Sequence, residues 1–139
     1  MKVTVDTNVL VSATFLSGDS DKIIGKVELK EIELVLSQEI IGEFARVLGY
    51  KDIQEKIKTK NLEMRWTVHK IVSLSTLVEP AEKLLVVKED PNDNKVLECA
   101  KAGKVDVIVS SDNHLLKLGS FEGMPIKTPS HFLRSLRLS

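Results

Sequence analysis

An α/β domain with a parallel sheet covered by helices on both faces is the fold this sequence predicts, and three observations predict it. Short apolar runs rich in β-branched residues, such as Val3-Thr4-Val5 and Val105–Val109, read as strands buried on both sides. Amphipathic stretches with capping residues alternate with them. That alternation calls for right-handed crossovers between parallel neighbours. No repeat, low-complexity tract or linker interrupts the pattern, so residues 1–139 are expected to form one domain.

Taken in order, the first strand ends at Asp6, and Asn8 to Phe15 reads as a short helix. A loop follows at Ser17-Gly18-Asp19-Ser20. Ser20 or Asp21 can cap a helix to about Leu29, with Ile23, Ile24 and Val27 on one face. Ile32–Leu36 is a second strand. Ser37 caps a helix over Gln38–Leu48 whose inner face is Ile40, Ile41, Phe44, Val47 and Leu48, ended by Gly49. Tyr50–Lys60 is helical, charged and exposed. Asn61 can cap a helix from Leu62 to Leu74, and Leu77-Val78 forms a short strand. Leu84–Val87 is extended or irregular, before the acidic turn Lys88–Asp93. Asp93–Ala102 is a helix stopped by Gly103. The strand Val105–Val109 ends at Ser110-Ser111-Asp112, and a short helix covers Asn113–Leu118. Met124–Lys127 reads as an edge strand, which suits Pro125, and Thr128-Pro129 opens a last helix through Leu136.

The composition, 42% hydrophobic and 29% charged, is that of a soluble globular chain. No apolar run has the length of a membrane span, and M-K-V-T-V-D is too short and polar for a signal peptide, so a cytoplasmic protein is expected. A single cysteine, Cys99, excludes an internal disulfide and a Cys-rich zinc site; it reads as core filler. With 20 basic and 20 acidic residues there is no general pull on nucleic acid. The basic residues are nonetheless bunched, at Lys51 to Lys70 and after Glu122, where no acid follows.

The acids carry the chemistry. Asp6 and Asp112 each end a strand and precede a helix; on neighbouring parallel strands they leave the same sheet edge, where α/β folds bind ligands. Asp93 shares a helical face with Val96, Leu97 and Ala100, so its carboxylate points inward, with Lys95, Glu98 and Lys101 on the outer side. Glu43 borders the apolar face of its helix; Glu39 lies further out. Converging acids of this kind repel unless a divalent cation joins them, and oxygen-only ligands favour Mg²⁺ or Mn²⁺ and phosphoryl chemistry. The plainer reading stands beside this one: Asp6, Asp93 and Asp112 each occupy an ordinary N-cap position, Glu43 taken alone reads as a surface glutamate, and Asp90 could replace Asp93. Asn8 can cap a helix or support the site, and Ser110 can bond Asp6 or the backbone. His69, His114 and His131 show no ligand spacing, and Trp66 reads as packing.

D-T-N-V-L at 6–10, E-I-I-G-E-F at 39–44, D-P-N-D-N-K-V-L-E-C-A at 90–100 and V-S-S-D-N-H-L-L at 109–116 resemble the motifs of PIN-domain ribonucleases, in order along nearly the whole chain. T-P-S-H-F-L at 128–133 resembles the family's closing helix, and the nearest subgroup is the toxins of VapBC-type toxin–antitoxin modules. The resemblance implies a three-layer α/β/α sandwich with a central, mainly parallel sheet. It also implies Mg²⁺ or Mn²⁺ as cofactor, cleavage of single-stranded or looped RNA, a homodimer, and an antitoxin partner. By the same resemblance Asp6, Glu43 and Asp93 match the metal-binding acids and Asp112 a fourth, more variable one. Asn8 and Ser110 match supporting residues, Ser110 keeping the hydroxyl of a threonine common there. The expected activity is hydrolysis of a phosphodiester by a metal-activated water, with Arg46, Lys51 or the C-terminal Arg134 and Arg137 guiding the RNA backbone. Two other readings remain open: a non-catalytic RNA- or partner-binding module, and another Mg²⁺ phosphohydrolase or phospho-acceptor domain. The phosphohydrolase reading lacks a D-x-D-x-T motif, and the phospho-acceptor reading lacks clear paired acids early and a lysine after a late strand.

Overall fold

A computed structural model describes residues 1–15, 18–59 and 64–137. Its strands are β1 (Lys2–Val5), β2 (Glu33–Leu36), β3 (Ser75–Leu77), β4 (Val107–Val109), β5 (Ser120–Phe121) and β6 (Met124–Lys127). Its helices are α1 (Thr7–Thr14), α2 (Gly18–Glu28), α3 (Gln38–Leu48), α4 (Lys51–Thr59), α5 (Met64–Leu74), α6 (Asn94–Gly103), α7 (Asn113–Leu116) and α8 (Pro129–Arg137). The strands form one sheet in the order β3-β2-β1-β4-β6-β5, parallel except for β5.

Burial explains the sandwich. Val3, Thr4 and Val5 are consecutive and all buried, as are Leu34, Val35 and Leu36, and Val107, Ile108 and Val109. Successive side chains of a strand face opposite ways, so both faces of the sheet are covered. Helix α6 lies against β1 and β2, while α1 packs with α2 and α3, and α8 packs on α2. Ile40, Phe44 and Leu48 are fully buried from α3, and Leu97, Cys99 and Ala100 from α6.

Several expectations shift. Gly18, Asp19 and Ser20 belong to α2 rather than to a loop, and Ser20 is buried within it. Ser17, Lys60, the proposed cap Asn61, Leu62 and the side chain of Met64 lie outside what is described. β3 begins two residues earlier than Leu77, although Val78 N still donates to Leu36 O at 2.9 Å. β4 is shorter than Val105–Val109, and Asp106 ahead of it is tied to Lys2 twice, its carboxylate accepting from Lys2 N at 2.8 Å and its N–H donating to Lys2 O at 2.8 Å. β6 is not the edge. Ser120 and Phe121 form an antiparallel partner for it, through a turn with positive φ at Glu122 (47°) and Gly123 (84°). That is the twist of a tight hairpin, which Glu-Gly signals only weakly compared with Asn-Gly. Trp66 is 65% exposed and meets the His69 ring edge-on, so it is not core packing.

Gly103 does not end α6 by adopting a left-handed conformation; Lys104 does, at φ 49°. Gly103 is needed for space, since a Cβ there would lie 2.6 Å from Val35 Cγ1. Gly103→Ala should therefore lower stability by about 1 kcal/mol: the overpacking, typically ~1–3 kcal/mol, outweighs the ~1 kcal/mol by which alanine is the better helix former. A urea midpoint that falls at constant slope is expected; an unchanged or raised midpoint would show that Val35 moves aside freely.

Candidate metal centre

The site forms where the sheet order changes direction. From β1 the chain goes out to β2 and β3, then returns through α6 to β4 on the other side of β1. Ligands of α/β sheets bind at the carboxyl ends of strands at such a point. Backbone pairing carries on past the strand ends and fixes the donors there: Asp6 N donates to Val109 O at 3.1 Å, and Ser110 N to Lys127 O at 2.9 Å.

Asp6 both caps a helix and faces the cleft at the strand ends. One carboxylate oxygen accepts from Val9 N at 2.9 Å, starting α1. The other accepts from the Ser110 hydroxyl in a short bond and from Ser111 N at 3.1 Å. Ser110 Oγ accepts in turn from Asp112 N at 2.9 Å, so one hydroxyl links the two strand-end acids. Asp112 also caps its helix, accepting from His114 N at 2.8 Å. Burial pushes the Asp6 pKa up despite these three donors, with the nearby Asp112 charge adding to the rise.

Asp93 closes a single 3-10 turn, Pro91–Asp93, ahead of α6 and makes no capping bond with its side chain. The bland reading of it as an N-cap therefore fails. It is 9% exposed, and its Oδ2 is buried without a hydrogen-bond partner. Its pKa is raised from 3.8 to about 7, first by burial, then by Asp112, to which only protonated Asp93 can donate, then by the charges of Asp112, Asp90 and Asp6.

Asp6, Asn8, Glu43, Asn92, Asp93 and Lys95 line a cleft of about 30 Å³ floored by Thr7, Ile40 and Val96. That is room for an ion or one or two waters. Glu43 is half-buried there, and Glu39 is exposed, as the helical spacing suggests. The Glu43 carboxylate is held by Lys95 Nζ at 3.0 Å, with Arg46 at 3.9 Å. A second grouping overlaps the first at Asp93. One ligand atom each from Asp90, Asp93, Asp112 and His114 lie within 4.8 Å of one another.

The structure thus brings Asp6, Asn8, Glu43 and Asp93 to one cleft, joins Asp112 to Asp6 through Ser110, and adds four residues that sequence reasoning missed. Lys95 turns into the cleft rather than outward. His114, with no ligand spacing in sequence, stands beside two acids because Asp112 caps its helix. Asn94 is buried, with Oδ1 accepting from Val87 N at 2.8 Å and Nδ2 donating to Val87 O at 2.9 Å, which fastens the acidic turn. Glu98, expected outside, is buried and accepts from Leu84 N at 2.8 Å. The Asn94 and Glu98 contacts are long-loop anchors with no periodic signal. Cys99 is core, its sulfur 3.5 Å from Thr4 Oγ1.

The donor set fits a divalent cation. Carboxylate oxygens predominate, Asp93 Oδ2 lacks a partner, and the pKa raised first by burial and then by neighbouring acids reflects a cost of ionisation that a bound cation would offset.

Fold and site define a class: an α/β protein with an acidic cleft at the carboxyl edge of a mostly parallel sheet. The chain belongs to the PIN domain family, whose family model matches residues 2–114. No curated protein matches it. Its fold is similar to that of a chain in the crystal structure of VapBC2 from Rickettsia felis bound to a DNA fragment from their promoter. The TM-score is 0.61 and the identity 14%, over 92% of this chain and 98% of that one. At that identity the likeness is one of fold. No helix among the described residues is long and apolar enough to cross a membrane.

The folded-state pKa of Asp93 exceeds its ordinary value, so folding takes up a proton. The associated stability is complete below 3.8 and is lost as pH rises through about 7. Metal-free protein should show a melting temperature that falls across this window relative to Asp93→Asn, and Mg²⁺ or Mn²⁺ should restore more stability at the high end than at the low end. Parallel melting curves for the two proteins at all pH values would refute the Asp93 assignment.

Proposed function

We propose that the chain, acting as a single domain over residues 1–139, is a Mg²⁺- or Mn²⁺-dependent endoribonuclease that cuts single-stranded or looped RNA. We propose further that it is the cytoplasmic toxin of a toxin–antitoxin pair, acting as a homodimer. The observation that carries the reading is the partnerless, buried Asp93 Oδ2 in a cleft shared with Asp6 and Glu43 and bordered by Asp112. Membership of the PIN domain family supports nuclease chemistry. The likeness to a chain of VapBC2, a complex bound to promoter DNA, supports an antitoxin protein as partner.

Asp6, Glu43, Asp93 and Asp112 would hold the cation. The chemistry it supplies when bound is a lowered pKa for water and compensation of charge on a phosphodiester. The protein's own groups do the rest. Ser110 and the Ser111 amide fix the orientation of Asp6. Asn8, exposed at the cleft, would donate to a phosphate oxygen. Lys95 and Arg46 hold Glu43 and give the rim positive charge, which attracts the RNA backbone without reading its bases. Lys51 and Arg134 are exposed as well, whereas Arg137 lies with Lys26, Leu29 and Glu31, ahead of β2 at the amino edge of the sheet and away from the cleft.

Asp6→Asn and Asp93→Asn should each reduce RNA cleavage in Mg²⁺ on the order of 100-fold, the scale on which preorganised charge-stabilising groups act. Single-turnover assays on an unstructured RNA, with and without chelator, measure this. Cutting at full rate by either variant, or in chelator, defeats the reading.

A further inference from the structure

The histidine beside the acids changes the chemistry of the site. His114 Nδ1 lies 3.6 Å from Asp112 Oδ1 and 3.8 Å from Asp93 Oδ2. Two donors about 2.1 Å from one ion stand about 3 Å apart when adjacent and about 4.2 Å when opposite, so both separations fall within the range of a shared ion. The arrangement is local: the Asp112 oxygen that faces the ring also accepts from the His114 main-chain N–H at 2.8 Å, which keeps the two residues adjacent. Independently, the Asp93 oxygen facing this ring belongs to a residue 9% exposed and has no hydrogen-bond partner. A buried, unsatisfied oxygen aimed at an imidazole is a pair of donors awaiting an acceptor.

We propose that His114 supplies a nitrogen ligand to the cation, so that the lobe formed by Asp90, Asp93, Asp112 and His114 selects a first-row transition ion of the Mn²⁺ class over Mg²⁺. The proposal rests on the metal-site reading above and departs from an all-oxygen site. Mg²⁺ keeps to oxygen and sheds water reluctantly, whereas imidazole suits transition ions, whose affinity for nitrogen-containing sites rises from Mn²⁺ onward. Asp93, common to this lobe and to the cleft with Asp6 and Glu43, couples the two.

Mn²⁺ titrated into the full chain and followed by electron paramagnetic resonance tests this without an activity assay. Pulsed spectra of the bound ion should show nitrogen-14 coupling that becomes nitrogen-15 coupling when histidine alone is labelled. His114→Gln should abolish it and weaken Mn²⁺ by at least the roughly tenfold that loss of an outer-shell partner costs. Mg²⁺ affinity, read by competition, should stay nearly unchanged. Mn²⁺ that binds the wild type, is lost in Asp93→Asn and shows no histidine coupling overturns the role of His114 and leaves the acid site standing. Coupling that survives His114→Gln overturns it equally, since the nitrogen would then belong to His69 or His131. Absence of Mn²⁺ binding, or binding indifferent to Asp93→Asn, overturns the acid site and this proposal together.

Discussion

Like charges held close in a dry place are the constraint around which the rest of the molecule is arranged. Asp93 sits against Asp112, Asp90 and Asp6, and burial denies it the water that would ease the repulsion. Such a cluster persists only if the surrounding scaffold over-determines it. Here the scaffold is the sheet itself. The main-chain bonds from Asp6 to Val109 and from Ser110 to Lys127 extend the pairing of β1, β4 and β6 into the site. Asp6 and Asp112 cannot separate without disturbing strands whose residues are buried, while Asp93 is delivered by the turn ahead of α6. Stability spent in this way is a common cost of function.

Much of this was legible in the sequence, and the legible part has a common origin. Strands buried on both faces leave consecutive apolar residues, and helices leave a 3.6-residue period, so β1, β2, α3 and α6 could be placed from pattern alone. The inward aim of Asp93 and the preference for Glu43 over Glu39 came from the same helical arithmetic. What the sequence hid depended on contacts between distant segments. Lys95 turns into the cleft because Glu43, on another helix, draws it. Glu98 is buried because Leu84 N needs an acceptor. His114 joins the acids through a cap on a four-residue helix too short to have a period. β5 escaped because two residues and a Glu-Gly turn carry almost no signal.

The loop before the site shows how a segment without regular structure can still be fixed. Residues from Leu84 to Val87 form no strand, yet Glu98 and Asn94, both on α6, bond Leu84 and Val87. Val87 is buried as a result, while Leu85 is 81% exposed. The same Asn94 Nδ2 donates to Pro91 O at 3.2 Å, so the turn that delivers Asp93 and the loop that precedes it are fastened by one side chain. Precision at Asp93 therefore comes from a neighbour whose side chain bonds the main chain of Val87 and Pro91.

The small hairpin of β5 and β6 has an effect beyond its size. By laying an antiparallel strand of only two residues along β6, it leaves almost no ladder for another chain to join on that flank. The opposite flank ends in β3, whose outer side includes the exposed Leu77. Strand addition would therefore find only two residues to pair with on the β5 flank and three on β3, so both edges of this sheet are kept short.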